Sequence, residues 1–210
     1  MQENRRRVPA WLKLFAVLAA VGVGVPCLLT RVFFTSWEQE GPSMEPSLPS
    51  GARFFASRLA DVSPGDVVVV DSPADEITIV KRVVAVAGDT VEIRDGRLIV
   101  DGEPIVRREI APAIPAGSSH CYEESIGRYR WLAIEDTGAP PSSHPPVAVP
   151  DGHVFVLGDN RARSNDSRFF GAVPTAAVHG VLAWIYYPGN VAESQQCPQR
   201  SGSERPQEEQ

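Results

Sequence analysis

The chain has 210 residues, which is enough for one domain of ordinary size or one domain with an anchor. Hydrophobic residues make up 43% and charged residues 22%, so the chain is not wholly disordered, collagen-like or a coiled coil. The net charge of −6 gives no general footprint for nucleic acid, and three cysteines are too few for a disulfide scaffold. The composition predicts a globular domain without a nucleic-acid partner.

The first predicted element is a transmembrane helix over residues 14–34. Residues 14–30 carry no charge, and apolar residues continue the run beyond Arg31. About 20 mostly apolar residues suffice to span a bilayer. Basic residues within segment 1–13 place the N-terminus in the cytoplasm and the rest of the chain on the outer face of a bacterial inner membrane. A cleaved or lipidated signal segment, with Cys27 as the lipid site, and a buried core helix are the alternatives.

Residues 35–188 are predicted to form a mainly β domain of antiparallel sheets. Gly, Pro and Asp turn signals separate short apolar or alternating runs, and no helix-period stretch of 12 residues interrupts them. The predicted strands are Arg53–Ser57, Val67–Val70, Ile77–Ala87, Val91–Ile93, Leu98–Val100, Trp131–Ile134, His153–Leu157 and Val178–Tyr187. This pattern indicates a sheet domain with tight turns.

Two segments depart from that pattern. Residues 107–150 contain seven prolines, which predicts an insertion that is ordered mainly around Tyr129–Ile134. Residues 189–210 are rich in Gln, Glu and Ser, which predicts a disordered tail. Cys121 in the insertion and Cys197 in the tail can pair in an oxidising compartment, and the sequence leaves the paired and the free state open.

Lys81 is the first candidate for chemistry. The chain contains two lysines among 20 basic residues, and Lys81 is the one outside the N-terminal region. It precedes Arg82 in a β-branched run, so the two side chains point to opposite faces of a strand. Burial lowers a lysine pKa, and a neutral lysine is a general base, which arginine cannot become. The plain alternative is a solvated lysine on an edge strand.

Ser43 is the second candidate, because Gly41, Pro42 and Pro46 hold it in a rigid turn. A serine beside proline is also ordinary loop composition, and a nucleophilic serine needs a nearby base. The sequence has no G-x-S-x-G motif, and its histidines are predicted to be structural or exposed: His120, His144, His153 and His179. A serine–lysine pair is the option that survives.

The third candidate is the polar segment 158–171, which lies between two apolar runs. Such dense polar groups are costly inside a protein unless they are paired, so they favour a hydrogen-bonded loop that supports a site. A solvated loop is the alternative. The sequence has no HExxH, no CxxC and no Gly-rich phosphate loop, so no metal or cofactor is expected.

Four blocks in order resemble bacterial type I signal peptidase, the leader peptidase family of membrane-bound Ser–Lys serine proteases. These are the anchor, GPSMEPSL, PGDVVVV followed by IVKRVVAVAGDTVEI, and FVLGDNRARSNDSRFFGAVP, within residues 8–188. The resemblance implies coiled antiparallel sheets, an active site facing the membrane lipid, and signal peptides of exported preproteins as substrates. It implies cleavage after small residues of the Ala-x-Ala type.

The resemblance also implies roles for single residues. Ser43 is expected to be the nucleophile, Lys81 the general base, and Ser164 the hydroxyl that hydrogen-bonds the lysine amine. Asp166 is expected to pair with Arg168 and with Arg82. The expected support loop contains Gly158, Asp159 and Asn160, and the expected substrate-binding residues are Gly41, Pro42, Met44, Leu48 and Val80.

One departure from the family pattern concerns the oxyanion. Some members place a serine two residues before the nucleophile as a second oxyanion donor, and this chain has Gly41 there. Two other functions stay open from the sequence. One is a dedicated Ser–Lys processing protease, such as a pilin-maturation enzyme, and the other is a membrane-tethered β module that binds partners without catalysis.

Overall fold

The computed structural model describes residues 31–75, 77–110, 119–136, 142–189 and Cys197, together with isolated positions between Pro9 and Gly24. Most of the predicted anchor and of the predicted disordered tail lies outside these residues. Within the described part of the chain, no helix is long and apolar enough to cross a membrane. Strand β1 begins at Phe34, the last residue of the predicted anchor.

The described domain is built from fourteen strands that pair in antiparallel fashion. The first seven are β1 Phe34–Glu38, β2 Arg53–Ser57, β3 Val67–Asp71, β4 Thr78–Val86, β5 Thr90–Arg94, β6 Arg97–Val100 and β7 Glu103–Pro104. The others are β8 Val106–Ile110, β9 Ser119–Ile126, β10 Tyr129–Asp136, β11 His144–Ala148, β12 His153–Leu157, β13 Val173–Pro174 and β14 Val178–Tyr187. A one-turn helix covers Ser167–Phe170, and 3-10 turns cover Arg161–Arg163 and Thr175–Ala177.

The strands form three sheets. A seven-stranded sheet has the order β1-β2-β14-β3-β4-β12-β13, a four-stranded sheet has the order β11-β5-β6-β7, and a three-stranded sheet has the order β10-β9-β8. The prediction of a mainly antiparallel β domain is confirmed. The predicted bounds of β2, β12 and β14 coincide with the observed ones.

The seven-stranded sheet is buried on both faces around β3 and β4. Val69 packs with Met44 and Phe54 on one face, whereas Val68 packs with Val83 on the other. Strands covered on both faces read as continuous runs of β-branched residues, which explains the VVVV sequence of β3. This central position places β4 between two apolar layers.

The insertion contains more regular structure than the sequence indicated. Strands β8, β9 and β10 form a sheet of their own, and β11 pairs with β5. Strands β8, β9 and β10 contain charged residues among apolar ones, and the buried side chains include the acid Glu124 and the aromatic Trp131. Because a paired buried charge looks like a surface residue in a sequence, hydrophobic patterning did not reveal β8 and β9.

A disulfide joins Cys121 of β9 to Cys197, which answers the question that the sequence left open. Both cysteines are buried and pack with Ile134 of β10. The bond closes a segment with a sequence separation of 76 residues, so it tethers Cys197 to the three-stranded sheet.

Candidate active site

Strand β4 presents Lys81 and Arg82 to opposite faces of the central sheet. Lys81 pairs in register with Val68, and Arg82 with Val67. Both are almost fully buried, with exposed fractions of 4% and 7%. The period of two residues in a strand therefore puts one buried cation on each face, as the sequence predicts.

The turn that carries Ser43 docks beside Lys81 through its apolar neighbours. Met44 and Leu48 are fully buried and pack in one cluster with Val80, the residue before Lys81. The turn is closed by hydrogen bonds from Glu45 N to Pro42 O and from Leu48 N to Met44 O, at 3.1 and 2.8 Å. Burial of these side chains fixes where the Ser43 backbone lies.

The two candidate catalytic side chains meet. Lys81 Nζ donates a hydrogen bond of 3.0 Å to Ser43 Oγ and another of 3.0 Å to the Val80 carbonyl. Within the described residues, no carboxylate forms a salt bridge with Lys81. The serine and the lysine are 38 positions apart in the chain, and the sheet brings them into contact.

Burial lowers the pKa of Lys81 from 10.5 to about 8, because desolvation disfavours the charged ammonium. The negative charges of Asp166 and Asp159 act in the opposite direction, to a smaller extent. Above pH 8 the amine is therefore mostly neutral, with a lone pair that can take the hydroxyl proton of Ser43. A lysine in water would keep its proton at this pH.

The segment 158–168 lies directly behind the nucleophile. Asn160 N donates to Ser43 O at 3.0 Å, so the loop is bonded to the backbone of the candidate nucleophile. A Cβ atom on Gly158 would collide with the Ser164 side chain and with Ser43 O, so this position accepts only glycine without rearrangement. The expected role of Gly158 and Asn160 in shaping the loop agrees with these contacts.

Asp166 organises this loop from a fully buried position. Its carboxylate accepts hydrogen bonds from Gly158 N at 2.9 Å and from Arg168 Nε at 2.7 Å. Arg168 also donates to the Arg161 carbonyl at 2.8 Å. The pairing of Asp166 with Arg168 is thus observed.

The expected pairing of Arg82 with Asp166 is wrong. Arg82 instead forms a bidentate ion pair with Asp159, with distances of 2.7 Å from Nε to Oδ1 and 2.6 Å from Nη2 to Oδ2. Its Nη1 donates to Gly65 O. The Trp131 ring lies 5.2 Å from its guanidinium carbon. A planar guanidinium prefers a carboxylate that it can meet with two parallel bonds, and Asp159 offers that geometry.

The expected hydrogen bond between Ser164 and Lys81 is not formed. The Ser164 hydroxyl is buried, and it has no hydrogen-bond partner among the described residues. Lys81 points two of its bonds at Ser43 and at the Val80 carbonyl instead. An amine in its charged form has three donors, so one proton of Lys81 is left for another acceptor.

The predicted substrate-binding residues separate into two groups. Met44, Leu48 and Val80 are buried beneath the Ser43 turn, whereas Gly41 and Pro42 are half-buried at its surface.

The four histidines make local or surface contacts: His120 with Glu109, His144 with Pro145 O, His153 with Asp151 O and His179 with Asp71. Among the described residues, no group of three or more His, Cys, Asp or Glu side chains is arranged to hold a metal.

Known proteins resemble this chain along most of its length. The family model described as signal peptidase, peptidase S26, matches residues 9–187. Signal peptidase I of Bacillus licheniformis is 32% identical over 186 residues, covering 86% of this chain and 89% of that protein. The chain belongs to the signal peptidase S26 family. It is accordingly a hydrolase of the serine peptidase class.

Two further signal peptidases are each 30% identical to this chain. Signal peptidase I S of Bacillus subtilis is 30% identical and covers 89% of this chain and 93% of that protein. A crystal structure of signal peptidase I from Enterococcus faecalis is 30% identical, covers 59% of this chain and 98% of that chain, and has a TM-score of 0.38. Family membership rests on the sequence matches.

The structure also places residues beside the site that the sequence did not suggest. Gln39 lies within 3.5 Å of Ser43 Oγ through its amide nitrogen. Glu124 of the insertion is fully buried and binds Arg161, which follows Asn160 in the support loop. No local sequence signal marks either residue. Gln39 is an ordinary polar residue in the sequence, and Glu124 contacts Arg161 from a distant segment of the chain.

Proposed function

We propose that this S26 peptidase is a membrane-anchored endopeptidase that removes N-terminal signal peptides from exported preproteins. Cleavage follows small residues of the Ala-x-Ala type, with Ser43 as nucleophile and Lys81 as general base. The observation that carries the proposal is the 3.0 Å contact between Ser43 Oγ and the buried amine of Lys81, whose pKa lies at about 8. A serine activated by an adjacent base of matched pKa is the arrangement that nucleophilic catalysis needs.

The acylation step begins with neutral Lys81. Ser43 Oγ attacks the scissile carbonyl carbon while its proton passes to Lys81 Nζ, and the carbonyl oxygen becomes an oxyanion. Collapse of this tetrahedral species breaks the peptide bond, and the ammonium gives its proton to the leaving amine. An acyl ester on Ser43 remains.

Deacylation uses the same base. Lys81 takes a proton from water as the water oxygen attacks the ester carbonyl, and the departing Ser43 oxygen recovers a proton from the ammonium. The Ser43 N–H is one donor to the oxyanion, and each such donor is worth roughly 3–4 kcal/mol in the transition state. The bond from Asn160 N to Ser43 O holds the peptide group that follows this N–H.

Membrane anchoring is part of the proposal. The uncharged run 14–30 has basic residues before it, which favours an N-terminus in the cytoplasm and a catalytic domain on the outer face. Strand β1, which follows the run, is joined to β14 through β2, and exposed aromatic side chains lie on these strands: Phe34, Trp184, Tyr186 and Tyr187. Such rings favour the interfacial layer of a bilayer.

The test uses the full chain in detergent with an exported preprotein that carries an Ala-x-Ala site. We expect the wild type to generate one new N-terminus directly after that site, and Ser43→Ala to generate none. Ser47→Ala is the matched control, because Ser47 is a half-buried serine of the same turn whose hydroxyl bonds Leu132 O instead of Lys81.

Cleavage by Ser43→Ala at the same site would contradict the assignment of the nucleophile. Absence of cleavage by the folded wild type would contradict general signal peptide removal. It would favour a dedicated processing protease with a narrow substrate, or a binding module that keeps the pair unused.

A further inference from the structure

Gln39 is a buried polar residue beside the nucleophile that the proton transfer between Ser43 and Lys81 does not use. It follows β1, and its backbone is fixed on both sides. Gln39 N donates to Ala52 O at 2.8 Å, and its carbonyl accepts from Gly51 N at 2.8 Å. The residue is 2% exposed. Its side chain therefore has little freedom to choose another direction.

The amide nitrogen of Gln39 faces the Ser43 turn. Nε2 lies 3.2 Å from Glu40 O, 3.1 Å from Gly41 O and 3.5 Å from Ser43 Oγ. Backbone carbonyls only accept hydrogen bonds, so the nitrogen and not the oxygen must occupy this side of the amide. Two N–H protons thus serve three acceptors, and the longest of the three contacts is the one to the nucleophile.

The other end of the same amide is unsatisfied. Gln39 Oε1 is buried, and it has no hydrogen-bond partner among the described residues. A buried polar atom without a partner costs stability, and a native structure that keeps one calls for a reason other than stability. The amide dipole is held with its positive end toward Ser43 at that cost.

We infer that the side-chain amide of Gln39 is the second oxyanion donor, which takes the place that a side chain at Gly41 cannot fill. The inference rests on the proposed function. When Ser43 Oγ bonds to the substrate carbon, the carbonyl electron pair moves onto the substrate oxygen, and the hydroxyl proton passes to Lys81. That oxygen is attached to the same carbon as Oγ, so it forms next to the atom that the Gln39 amide faces.

The charge of the intermediate decides where the shared protons go. Hydrogen bonds to an anion are roughly twice as strong as bonds between neutral groups. In the resting enzyme the two carbonyls hold the Gln39 protons, and Ser43 receives the weakest contact. Once an oxyanion forms, it outcompetes a neutral carbonyl for one proton. The stabilisation is therefore larger in the transition state than in the ground state, which is the condition for catalysis.

Gln39→Met tests this role. Methionine has a similar length, and it removes the unpartnered oxygen together with the bonds to Glu40 O and Gly41 O, so the two effects on stability oppose each other. Circular dichroism and the unfolding temperature check that the variant is folded. We expect kcat/KM for the preprotein to fall by about 10²-fold, the effect of losing one oxyanion donor. KM should change little, because the contact is made to the oxyanion and not to bound substrate. Ser47→Ala, in the same turn, should keep wild-type rates.

A peptide aldehyde ending in Ala-x-Ala separates oxyanion stabilisation from positioning of the nucleophile. Ser43 adds to the aldehyde carbon, so the adduct carries a tetrahedral oxygen, whereas the product peptide with a free carboxylate does not. We expect the Gln39→Met variant to bind the aldehyde more weakly by the same factor as its loss in kcat/KM, and to bind the product peptide unchanged. The pH–rate profile should keep the midpoint set by Lys81.

Three results would overturn the role of Gln39: a kcat/KM within threefold of wild type, a loss of activity with unchanged aldehyde affinity, or a shifted midpoint of the pH profile. Each can occur while the wild type cleaves and Ser43→Ala does not, so it would leave the proposed function standing. Absence of cleavage by the wild type, in contrast, would overturn the proposed function and this role together.

Discussion

The two faces of strand β4 treat their buried cations in opposite ways. On one face Lys81 has a serine hydroxyl and one carbonyl as partners, and the nearby polar atoms Gln39 Oε1 and Ser164 Oγ have none among the described residues. On the other face Arg82 donates hydrogen bonds from all three guanidinium nitrogens, to Asp159 and Gly65 O, and lies over the Trp131 ring. Neighbouring residues in one strand thus experience very different electrostatics.

The difference separates reactivity from support. A group that must exchange protons has to lack strong partners, since an ion pair would hold Lys81 in its charged form. A group that must hold a loop needs strong partners around its guanidinium, and each guanidinium nitrogen of Arg82 and of Arg168 donates at least one hydrogen bond. Arg161 of the support loop forms a buried ion pair with Glu124 of β9. The support of the active site therefore extends to the three-stranded sheet.

The largest loss of activity is expected when Lys81 can no longer accept a proton. Lys81→Arg keeps a buried cation on β4 but never loses its proton, so it cannot accept one from Ser43. We expect kcat/KM to fall by on the order of 10⁴-fold or more, as for other members of a catalytic unit. Steady-state cleavage measures this, and circular dichroism checks that the variant is folded. Retained activity would show that Lys81 is not the base.

Breaking the buried ion pair between Glu124 and Arg161 should lower the free energy of unfolding. Glu124→Gln leaves the Arg161 guanidinium buried without its ion-pair partner, and breaking a buried pair costs about 3–5 kcal/mol. Urea unfolding measures the loss. Glu38→Gln is the matched control, because Glu38 and Arg53 form an exposed pair for which less than about 1 kcal/mol is expected. Equal effects of the two variants would contradict a structural role for the buried layer.

The free energy of unfolding should depend on pH because Lys81 is buried. The pKa of Lys81 is about 8 in the fold and 10.5 in the unfolded chain, so between these values the unfolded state binds more protons. The free energy of unfolding should therefore rise with pH across this window, by about 3 kcal/mol from this group, and the gain is absent below pH 8. Urea unfolding at pH 7 and 10 measures it.

Lys81→Met is the control for that measurement, since the difference from wild type isolates this one group. The variant should lack the rise and should be more stable than wild type at pH 7. The same titration predicts that kcat/KM of the wild type rises toward a plateau above pH 8. A rise in stability that persists in Lys81→Met would assign it to another group.

The smallest effect is expected at Ser164. Ser164→Ala removes a buried hydroxyl that has no partner among the described residues, so unfolding free energy should stay within about 1 kcal/mol of wild type or increase. If the hydroxyl orients Lys81 during turnover, kcat should fall about tenfold at most. A loss comparable to that of Lys81→Arg would show that Ser164 takes part in proton transfer.

Much of the fold could be predicted from local pattern. Apolar or alternating runs between Gly and Asp turns located β2, β3, β4, β12 and β14 of the seven-stranded sheet and β5 and β6 of the four-stranded sheet, since such strands bury one face or both. The pattern did not locate β1, β7, β11 and β13. Strand β10 was predicted in part, but β8 and β9 were missed because Glu124 and Arg107 look like surface residues until their partners are known. The paired state of Cys121 likewise depended on where Cys197 lies.

The amino-acid sequence was enough to predict the family, from four blocks in order, and the sheet class, from the alternating apolar runs. It also indicated the two residues that we propose to react, because a lone lysine in an apolar strand and a serine in a rigid turn can be recognised locally. Which charged groups pair depended on the folded structure. Arg82 pairs with Asp159 and not with Asp166. Ser164 Oγ has no hydrogen-bond partner among the described residues, and the Gln39 amide nitrogen faces Ser43 Oγ. Hydrogen bonds and ion pairs fall off within a few ångströms, so only the folded distances could select among these partners.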